Sequence, residues 1–331
     1  MRVLVTGATG YVGSHAAAAL SEHGHLVRVL ARDASRVPST LSPFGIEPEV
    51  AVGDMTDSRS VSAALDGCDA VIHAAGEVGV SGGSGPPQQS NVDGVRTVVA
   101  EAVEGGIDPI IYTSTVTCYL PTAETTVTLE TPLATPLSTY GRSKRDAELL
   151  VRQWQDQGAP VTTFVIGGVY GPVSPHLDGS FSAIRAALET SMLVPEGGLG
   201  VIDVRDLGDL LARAVEPARG PRRYLAGGRF LSWAEWTRAL GRAAEAEVDQ
   251  NPITAADMVK LGRHCDALRV AGKDAPPLSE EAAIIMTSAV PTDDTATQAE
   301  LGVTYRPLDE TFRDTVTWLR ETDQLPRRRA S

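Results

Sequence analysis

Three glycines near the beginning of the chain constrain its fold most strongly. Gly7, Gly10 and Gly13 follow a β-branched run at residues 2–6 and precede an alanine-rich stretch at residues 11–23. The first glycine permits a tight turn, the second lets the backbone approach a pyrophosphate, and the third lets the helix pack against the strand. The N–H groups of the first helical turn then face the anion. This spacing predicts a dinucleotide-binding β-α-β unit, and it excludes a P-loop because no Gly-Lys-Ser/Thr follows.

Strand and helix patterns alternate through the first half of the chain. Short apolar runs predict strands, and the amphipathic or alanine-rich runs between them predict helices. Beyond the first strand and helix, strands are predicted at residues 26–31, 49–52, 70–73, 110–113 and 161–166, and helices at 58–65, 91–104 and 140–157. This alternation predicts right-handed crossovers and therefore an α/β fold with a doubly wound parallel Rossmann sheet.

The alternation becomes irregular after about residue 171. Residues 172–200 contain many Pro and Gly residues, and the later helices are predicted at 206–215, 232–246 and 309–321. We therefore predict a dinucleotide-binding domain over 1–171, to which 201–216 return, and a smaller irregular C-terminal cap over 172–200 and 217–331 that binds the substrate. The Gly- and Pro-rich residues 79–89 indicate either a merely flexible loop or a flap that closes over the substrate.

Composition narrows the classes of protein to which this chain can belong. A formal charge of −13 over 331 residues opposes binding to nucleic acid or to an anionic membrane surface. Cys68, Cys118 and Cys265 are scattered and form no Cys-x-x-Cys pair, so neither a disulfide framework nor a metal site is predicted. No run approaches 18 uninterrupted apolar residues, and few cysteines fit a reducing compartment. We expect a cytoplasmic protein whose partner is a small molecule.

The residue after the second strand bears on the identity of the dinucleotide. NAD-binding folds carry a carboxylate there for the ribose 2′-hydroxyl, whereas this chain has Arg32. A guanidinium pairs with a 2′-phosphate, so the sequence favours NADP(H). The alternative is NAD, bound by an inward-turned Asp33. After the next two strands, Asp54 and Met55 are expected to border the adenine, and the small residues Ala74, Ala75 and Gly76 are expected to let the coenzyme pass.

Tyr140 and Lys144 form a Tyr-x-x-x-Lys pair at the beginning of a predicted helix. The i, i+4 spacing places both side chains on one face. A neighbouring ammonium favours the phenolate over the phenol, whose ordinary pKa is near ~10. The phenol then exchanges a proton with a substrate oxygen while hydride moves to or from carbon. An exposed helical pair without a catalytic role is the alternative interpretation.

Hydroxyl side chains end the fifth predicted strand. Tyr112, Thr113, Ser114 and Thr115 follow its apolar residues. Ligands of open parallel sheets bind at the carboxyl ends of the strands, so a hydroxyl here is placed to orient a substrate oxygen.

These motifs, taken in order, resemble an extended short-chain dehydrogenase/reductase of the NAD-dependent epimerase/dehydratase superfamily. The resemblance covers residues 1–216 and includes Asn91 at a helix start, the Val-Tyr-Gly-Pro segment at 169–172 and the VIDVRD segment at 201–206. The C-terminal part is loosely similar to the dihydroflavonol-reductase-like branch. The family implies a catalytic hydroxyl 25 residues before the tyrosine, which selects Thr115, with Ser114 as its rival.

The resemblance also implies the coenzyme contacts. Where the family has Arg-Pro, this chain has Val165 and Ile166, so contacts with the nicotinamide amide are expected from the backbone of residues 166–169. The predicted coenzyme-binding residues are Gly7, Thr9, Gly10, Tyr11, Val12, Gly13, Arg32, Asp54, Met55, Ala74, Ala75, Gly76, Thr113, Tyr140, Lys144, Ile166, Gly167 and Val169. His73 and Asn91 are interpreted as structural. By analogy with the family, helices 91–104 and 140–157 form the interface of a possible homodimer.

Three functions are compatible with these motifs. The first is an enzyme that moves hydride between NADP(H) and a small carbonyl or alcohol, with Thr115 orienting the oxygen, Tyr140 transferring the proton, and Lys144 tuning Tyr140 and holding the ribose. The second is a nucleotide-sugar epimerase with tightly bound NAD. Dehydration is disfavoured because Val116 and Thr117 replace the Asp-Glu pair of sugar 4,6-dehydratases. The third is a non-catalytic NADP-binding sensor, disfavoured because relatives of that type lose the tyrosine or the lysine.

Overall fold

The computed structural model describes residues 1–76, 88–136, 139–177, 179–276 and 278–325. Its largest sheet contains the strands β1 (Arg2–Thr6), β2 (Leu26–Ala31), β3 (Glu49–Val52), β4 (Ala70–His73), β5 (Ile110–Thr115), β6 (Val161–Ile166) and β10 (Arg222–Ala226). The strands are all parallel and lie in the order β10-β6-β5-β4-β1-β2-β3. The winding direction reverses beside β1, which confirms the doubly wound Rossmann sheet.

Helices cover both faces of this sheet. They are α1 (Tyr11–Glu22), α2 (Arg36–Leu41), α3 (Ser58–Leu65), α4 (Gln88–Glu104), α5 (Thr139–Asp156) and α7 (Val204–Arg213). On one face Leu20 of α1 and Leu211 of α7 belong to one buried apolar cluster. On the other face Val98 of α4 and Val151 of α5 belong to a second. The central strands β1 and β4 are apolar because both of their sides are buried, whereas β3 at the edge of the sheet is mostly exposed.

The other strands and helices belong mainly to the predicted C-terminal cap. A three-stranded sheet contains β7 (Gly168–Tyr170), β9 (Gly198–Asp203) and β11 (Arg229–Ser232), and a two-stranded sheet pairs β8 (Met192–Val194) with β12 (Gln250–Pro252). The accompanying helices are α6 (Gly179–Glu189), α8 (Trp233–Ala244), α9 (Ala255–Val270), α10 (Glu280–Ser288), α11 (Thr295–Leu301) and α12 (Leu308–Glu321). Tyr170, Trp236 and Phe312 share the buried core of the cap.

Sequence patterns located the first six strands well and the cap poorly. β5 extends two residues beyond the predicted strand and ends at Thr115. β10 lies at the edge of the large sheet, and Leu301 and Tyr305 pack in the cluster under that sheet, although residues 217–331 were assigned to the cap. These segments therefore belong to the Rossmann layer, and the division into domains otherwise stays a prediction. Most of the expected flap at 79–89 lies outside the described residues.

Candidate active site

The glycine-rich turn after β1 is built as its spacing predicts. Gly7 has a φ of 77°, and a Cβ there would lie 2.6 Å from the backbone nitrogen of Ala75. A Cβ at Gly13 would overlap the carbonyl of Gly7. α1 begins at Tyr11, and its N-cap residue, Gly10, makes no side-chain capping bond. The backbone N–H groups at the start of α1 therefore lie beside a space that side chains larger than glycine would fill. A dinucleotide pyrophosphate fits such a space.

The residues expected at the adenosine end lie after β2 and β3. Arg32 is exposed. The carboxylate of Asp33 accepts hydrogen bonds from the Ser35 hydroxyl at 2.6 Å and the Ser35 nitrogen at 2.9 Å. The carboxylate of Asp54 likewise accepts hydrogen bonds from the nitrogen and the hydroxyl of Thr56. These hydrogen bonds, and then the charge of Arg32, hold the pKa of the Asp54 carboxyl below its usual range. Asp33 is thus engaged in the local turn rather than turned inward.

The loop after β4 contacts both the glycine-rich turn and helix α5. Ala74 and Ala75 bond through their nitrogens to Thr6, and the Thr6 hydroxyl shares a 2.7 Å hydrogen bond with His73 Nδ1. At Gly76, a Cβ would lie 2.9 Å from Lys144 Nζ. The small residues of this loop therefore leave space for two neighbours. Ala74 and Ala75 lie against the glycine-rich turn, and Gly76 lies against the ammonium of Lys144.

The hydroxyls at the end of β5 point to different sides because side chains alternate along a strand. Ser114 is 5% exposed, and its Oγ lies 3.9 Å from Cys118 Sγ. Thr115 is half-buried, ends the strand, and accepts a 3.3 Å hydrogen bond from the nitrogen of Thr117. Thr113 lies on the same face as Thr115, and its hydroxyl bonds the carbonyl of His73. The arrangement favours Thr115 as the accessible hydroxyl.

Tyr140 and Lys144 lie together in the first turns of α5. Tyr140 is 6% exposed, and Lys144 Nζ lies 5.9 Å from the centre of its ring. Burial raises the pKa of the Tyr140 phenol well above its ordinary value, with Cys118 and the Glu281 carboxylate acting in the same direction. Burial raises the pKa of Cys118 to about 12, so this thiol is uncharged at neutral pH and Glu281 supplies the relevant charge. Burial lowers the pKa of Lys144. The sequence predicted that the Lys144 ammonium would favour the phenolate, whereas the pKa of Tyr140 is raised, because burial outweighs an ammonium 5.9 Å from the centre of the ring.

Glu281 of α10 is a site residue that the sequence did not indicate. Its Oε1 accepts a 3.1 Å hydrogen bond from the nitrogen of Gly141, directly after Tyr140 in α5. The two residues are 140 positions apart in the chain. No local pattern signals such a contact, because it depends on how the cap folds back over the sheet.

Tyr11 and His15 connect α1 to the loop that leads into the cap. The Tyr11 hydroxyl donates to the carbonyl of Gly171 at 2.8 Å. His15 Nε2 lies 3.1 Å from the carbonyl of Val173, a non-glycine residue with a φ of 60°. The sequence predicted Tyr11 as a coenzyme-binding residue. It did not predict the contact of Tyr11 with this loop.

The backbone at the end of β6 passes close to another strand end. The nitrogen of Gly167 donates to the carbonyl of Ala226 at 3.1 Å, and a Cβ at Gly167 would overlap Gly227. Ile166 is buried and Val169 half-buried at this edge. Both remain candidates for backbone contacts with a nicotinamide ring. The other predicted coenzyme residues, Thr9, Val12 and Met55, lie at the same carboxyl edge, with Met55 packed beside Gly94.

The described residues were also examined for a metal cluster and for a membrane-spanning helix. Over the described ranges, no three His, Cys, Asp or Glu side chains are grouped so that they would hold a metal ion. None of the helices in the described part of the chain is long and apolar enough to cross a membrane.

Comparison with known proteins identifies the family. The sequence profile of the NAD dependent epimerase/dehydratase family matches residues 3–227. The chain belongs to this family. It is therefore an NAD(P)-dependent enzyme of the short-chain dehydrogenase/reductase superfamily, as its motifs indicated.

Individual relatives differ in the names they carry. Sterol demethylase protein B of Methylococcus capsulatus is 26% identical over 336 residues, covering 98% of this chain and 100% of that protein. A putative dihydroflavonol 4-reductase of Synechocystis is 29% identical over 235 residues, covering 69% of this chain and 66% of that protein. The structure of a UDP-glucose-4-epimerase from Stenotrophomonas maltophila, with bound NAD and formylated UDP-arabinopyranose, has a TM-score of 0.76 at 21% identity and covers 98% of this chain and 99% of its own. At 21% sequence identity this likeness shows that the two proteins share a fold.

Proposed function

We propose that this protein is an oxidoreductase that transfers hydride between NADP(H) and a small carbonyl or alcohol. The observation that carries the proposal is the buried phenol of Tyr140 next to Lys144 at the carboxyl edge of the sheet. A bound nicotinamide supplies or accepts the hydride. In the reducing direction Thr115 donates a hydrogen bond to the carbonyl oxygen, and Tyr140 delivers a proton to it. Lys144 stabilises the phenolate that remains and holds the nicotinamide ribose.

Substitution of Tyr140 tests this proposal. Tyr140→Phe removes the proton donor and leaves the ring, so we expect kcat to fall by at least about 100-fold while coenzyme affinity stays nearly unchanged. Tyr224→Phe, a change of another buried tyrosine on β10, is the matched control and should keep its activity. The substrate panel should include sterol ketones, since a relative that covers 98% of this chain is named for sterol demethylation. An unchanged turnover in Tyr140→Phe would refute the assignment.

The preference for NADP(H) rests on the charges after β2. Arg32 is exposed there, while Asp33 is engaged by Ser35. Arg36 lies one turn further on and donates to His176 Nε2 at 3.0 Å, so a second arginine borders this end. We expect NADPH to bind at least several-fold more tightly than NADH, and Arg32→Asp to narrow or reverse the difference. Equal affinities of the native protein for the two coenzymes would contradict the preference.

A nucleotide-sugar epimerase is the second candidate, because the family whose profile matches includes epimerases. Such an enzyme retains its coenzyme between half-reactions. Coenzyme that stays with the protein through gel filtration and is not reduced by added alcohols favours the epimerase, whereas readily exchanged NADPH favours the reductase. Coenzyme binding without turnover on any broad carbonyl panel would instead indicate the sensor protein.

A further inference from the structure

The turn after β10 packs against the strand ends at which the proposed site lies. In the large sheet β6 lies between β5 and β10, and Ile166 of β6 pairs in register with Thr115 of β5. A Cβ added to Gly167, the residue after this pair, would overlap the carbonyl of Gly227. A Cβ at Gly200 of β9 would overlap the same carbonyl. The position of Gly227 therefore limits where the backbone after β6 can lie.

Asp294 and Thr292 hold this turn in place. The nitrogen of Gly228, which has a φ of 82°, donates a 2.7 Å hydrogen bond to Asp294 Oδ2. Thr292 fills the space beside Gly227, where an added Cβ would overlap the threonine side chain. The Thr292 hydroxyl also donates to Asp294 Oδ1 at 2.7 Å. The turn is therefore fixed by a backbone hydrogen bond to a carboxylate and by packing against the threonine.

The Asp294 carboxylate is itself held firmly. Asp294 is 5% exposed, and its Oδ2 accepts a second hydrogen bond, at 2.9 Å, from the Tyr305 hydroxyl. The preceding residues pair with the loop between β5 and α5. Val127 of that loop donates to the carbonyl of Pro291 at 2.8 Å and accepts from the nitrogen of Asp293 at 3.0 Å. Displacing Asp294 would leave buried polar groups without partners, so it is a rigid attachment for the turn.

We infer that Asp294 is a positioning residue, which fixes the backbone after β6 for contact with the nicotinamide by holding the Gly227-Gly228 turn against it. The inference rests on the proposed function and assigns Asp294 no contact with coenzyme or substrate. A turn released from Asp294 would let the backbone at Gly167 shift, and the nicotinamide would then be bound less tightly. The glycine-rich turn after β1 is separated from β6 by β4 and β5, so binding of the pyrophosphate should not change.

Two ligands that differ only in the nicotinamide test the inference. NADPH carries the ring, and 2′-phospho-ADP-ribose is the same molecule without it. The native protein should bind NADPH at least about tenfold more tightly, as measured by isothermal titration calorimetry. Asp294→Ala removes the acceptor for Gly228, so this ratio should fall at least about fivefold, while the affinity for 2′-phospho-ADP-ribose stays within about twofold. NADH and ADP-ribose provide the same comparison if the native protein prefers the coenzyme without the 2′-phosphate.

Three variants separate positioning from a merely structural role. Asp294→Asn keeps an oxygen for Gly228, so its ratio should stay within about twofold of the native value. Tyr305→Phe removes the other donor to Asp294 Oδ2, so it should lower the melting temperature and leave the ratio within about twofold. Asp293→Ala removes the exposed neighbouring carboxylate, which accepts a 3.1 Å hydrogen bond from the nitrogen of Thr295, and should leave the ratio unchanged.

A milder variant gives the same test if Asp294→Ala does not fold. Thr292→Val keeps the shape of the side chain and removes the donor to Asp294, so the ratio should fall at least about threefold. Equal affinities of the native protein for the two ligands, an unchanged ratio in the disrupting variant, or an equal loss in Tyr305→Phe would overturn the inference. Because binding is measured without turnover, its outcome is independent of the Tyr140→Phe assay that tests the proposed function.

Discussion

Gly76 and Lys144 lie so close together that a Cβ at the glycine would displace the lysine ammonium. A Cβ added to Gly76 would lie 2.9 Å from Lys144 Nζ and 3.3 Å from Asn91 Oδ1. Gly76 is not among the glycines with positive φ, so it is required for space and not for backbone conformation. The end of β4 thus leaves room for the ammonium on which the proposed chemistry depends.

Gly76→Ala should displace the Lys144 ammonium and leave the fold intact. We expect kcat to fall by roughly 10- to 100-fold, because the ammonium would no longer stabilise the phenolate of Tyr140. The melting temperature should change little, since the loop is partly exposed. Gly105→Ala is a suitable control, because its Cβ would lie 3.2 Å from the carbonyl of Glu101, away from the carboxyl edge. Full activity in Gly76→Ala would show that the ammonium position is not critical.

Thr115→Ala and Ser114→Ala should differ greatly in their effects. Thr115→Ala removes the hydroxyl at the carboxyl edge, so kcat should fall about 100-fold. Ser114→Ala removes a hydroxyl that lies against Cys118, so kcat should stay within about threefold of the native value. Steady-state kinetics of both variants at saturating coenzyme provide the comparison. The reverse order would assign the catalytic hydroxyl to Ser114.

The two directions of the reaction should depend differently on pH. Burial raises the pKa of Tyr140, so the phenol keeps its proton through neutral pH. Reduction uses this proton, and its kcat/KM should therefore be constant from about pH 6 to 9. Oxidation requires the phenolate, so its kcat/KM should rise with pH over the same range by up to about tenfold per unit. Oxidation that is independent of pH would exclude Tyr140 as the base.

Buried histidines should make the fold sensitive to acid. Burial, and then the charge of Lys144, lower the pKa of His73 from 6.5 to about 3. Above pH 6.5 His73 is neutral in both the folded and the unfolded state, so its contribution to the free energy of unfolding is fully present. As pH falls from 6.5 towards 3 only the unfolded state binds the proton, so the free energy of unfolding decreases by up to about 1.4 kcal/mol per pH unit. His15, whose pKa burial lowers to about 4, contributes with the same sign.

Urea denaturation at pH 7.5 and 5.5 measures this acid sensitivity. His73→Gln removes one titrating group, so the difference between the two pH values should shrink. His264→Gln, at an exposed position, is the control and should leave the difference as it is. Identical pH dependence in all three proteins would show that His73 does not titrate differently in the two states.

Helices α4 and α5 carry exposed apolar residues that suit the proposed homodimer. Val103 is 36% and Leu149 38% exposed. If these faces pair, Leu149→Glu should shift the mass in light scattering from a dimer to a monomer, since a charge would be buried at the interface. Val270→Glu introduces the same charge at a residue that is 90% exposed and should have no effect. A native protein that is monomeric at all concentrations would contradict the proposal.

Much of the dinucleotide-binding half could be predicted because its signals are local. Glycine spacing determines the turn at Gly7 and the packing of α1, and alternating apolar runs mark the first six strands. The i, i+4 spacing likewise places Tyr140 and Lys144 on one face. In each case the residues that decide the structure are within a few positions of one another.

Helix α10 and strand β10 had no such signal. The EEAAIIMTS sequence of α10 is a short apolar run whose periodicity does not distinguish a helix from a strand, and RRYLA of β10 is equally short. Both owe their positions to partners far along the chain. Glu281 reaches Gly141 across 140 residues, and β10 pairs with β6.

The sequence by itself therefore determined the family, the glycine-rich turn and the pairing of Tyr140 with Lys144, because backbone conformation and helical spacing act over short distances. Only the tertiary structure decided which groups surround them: Gly76 beside the Lys144 ammonium, the Ser114 hydroxyl turned to Cys118, and Glu281 at the start of α5. These contacts depend on how the cap and the strand ends pack together. That packing is a property of the whole fold, which no single segment encodes.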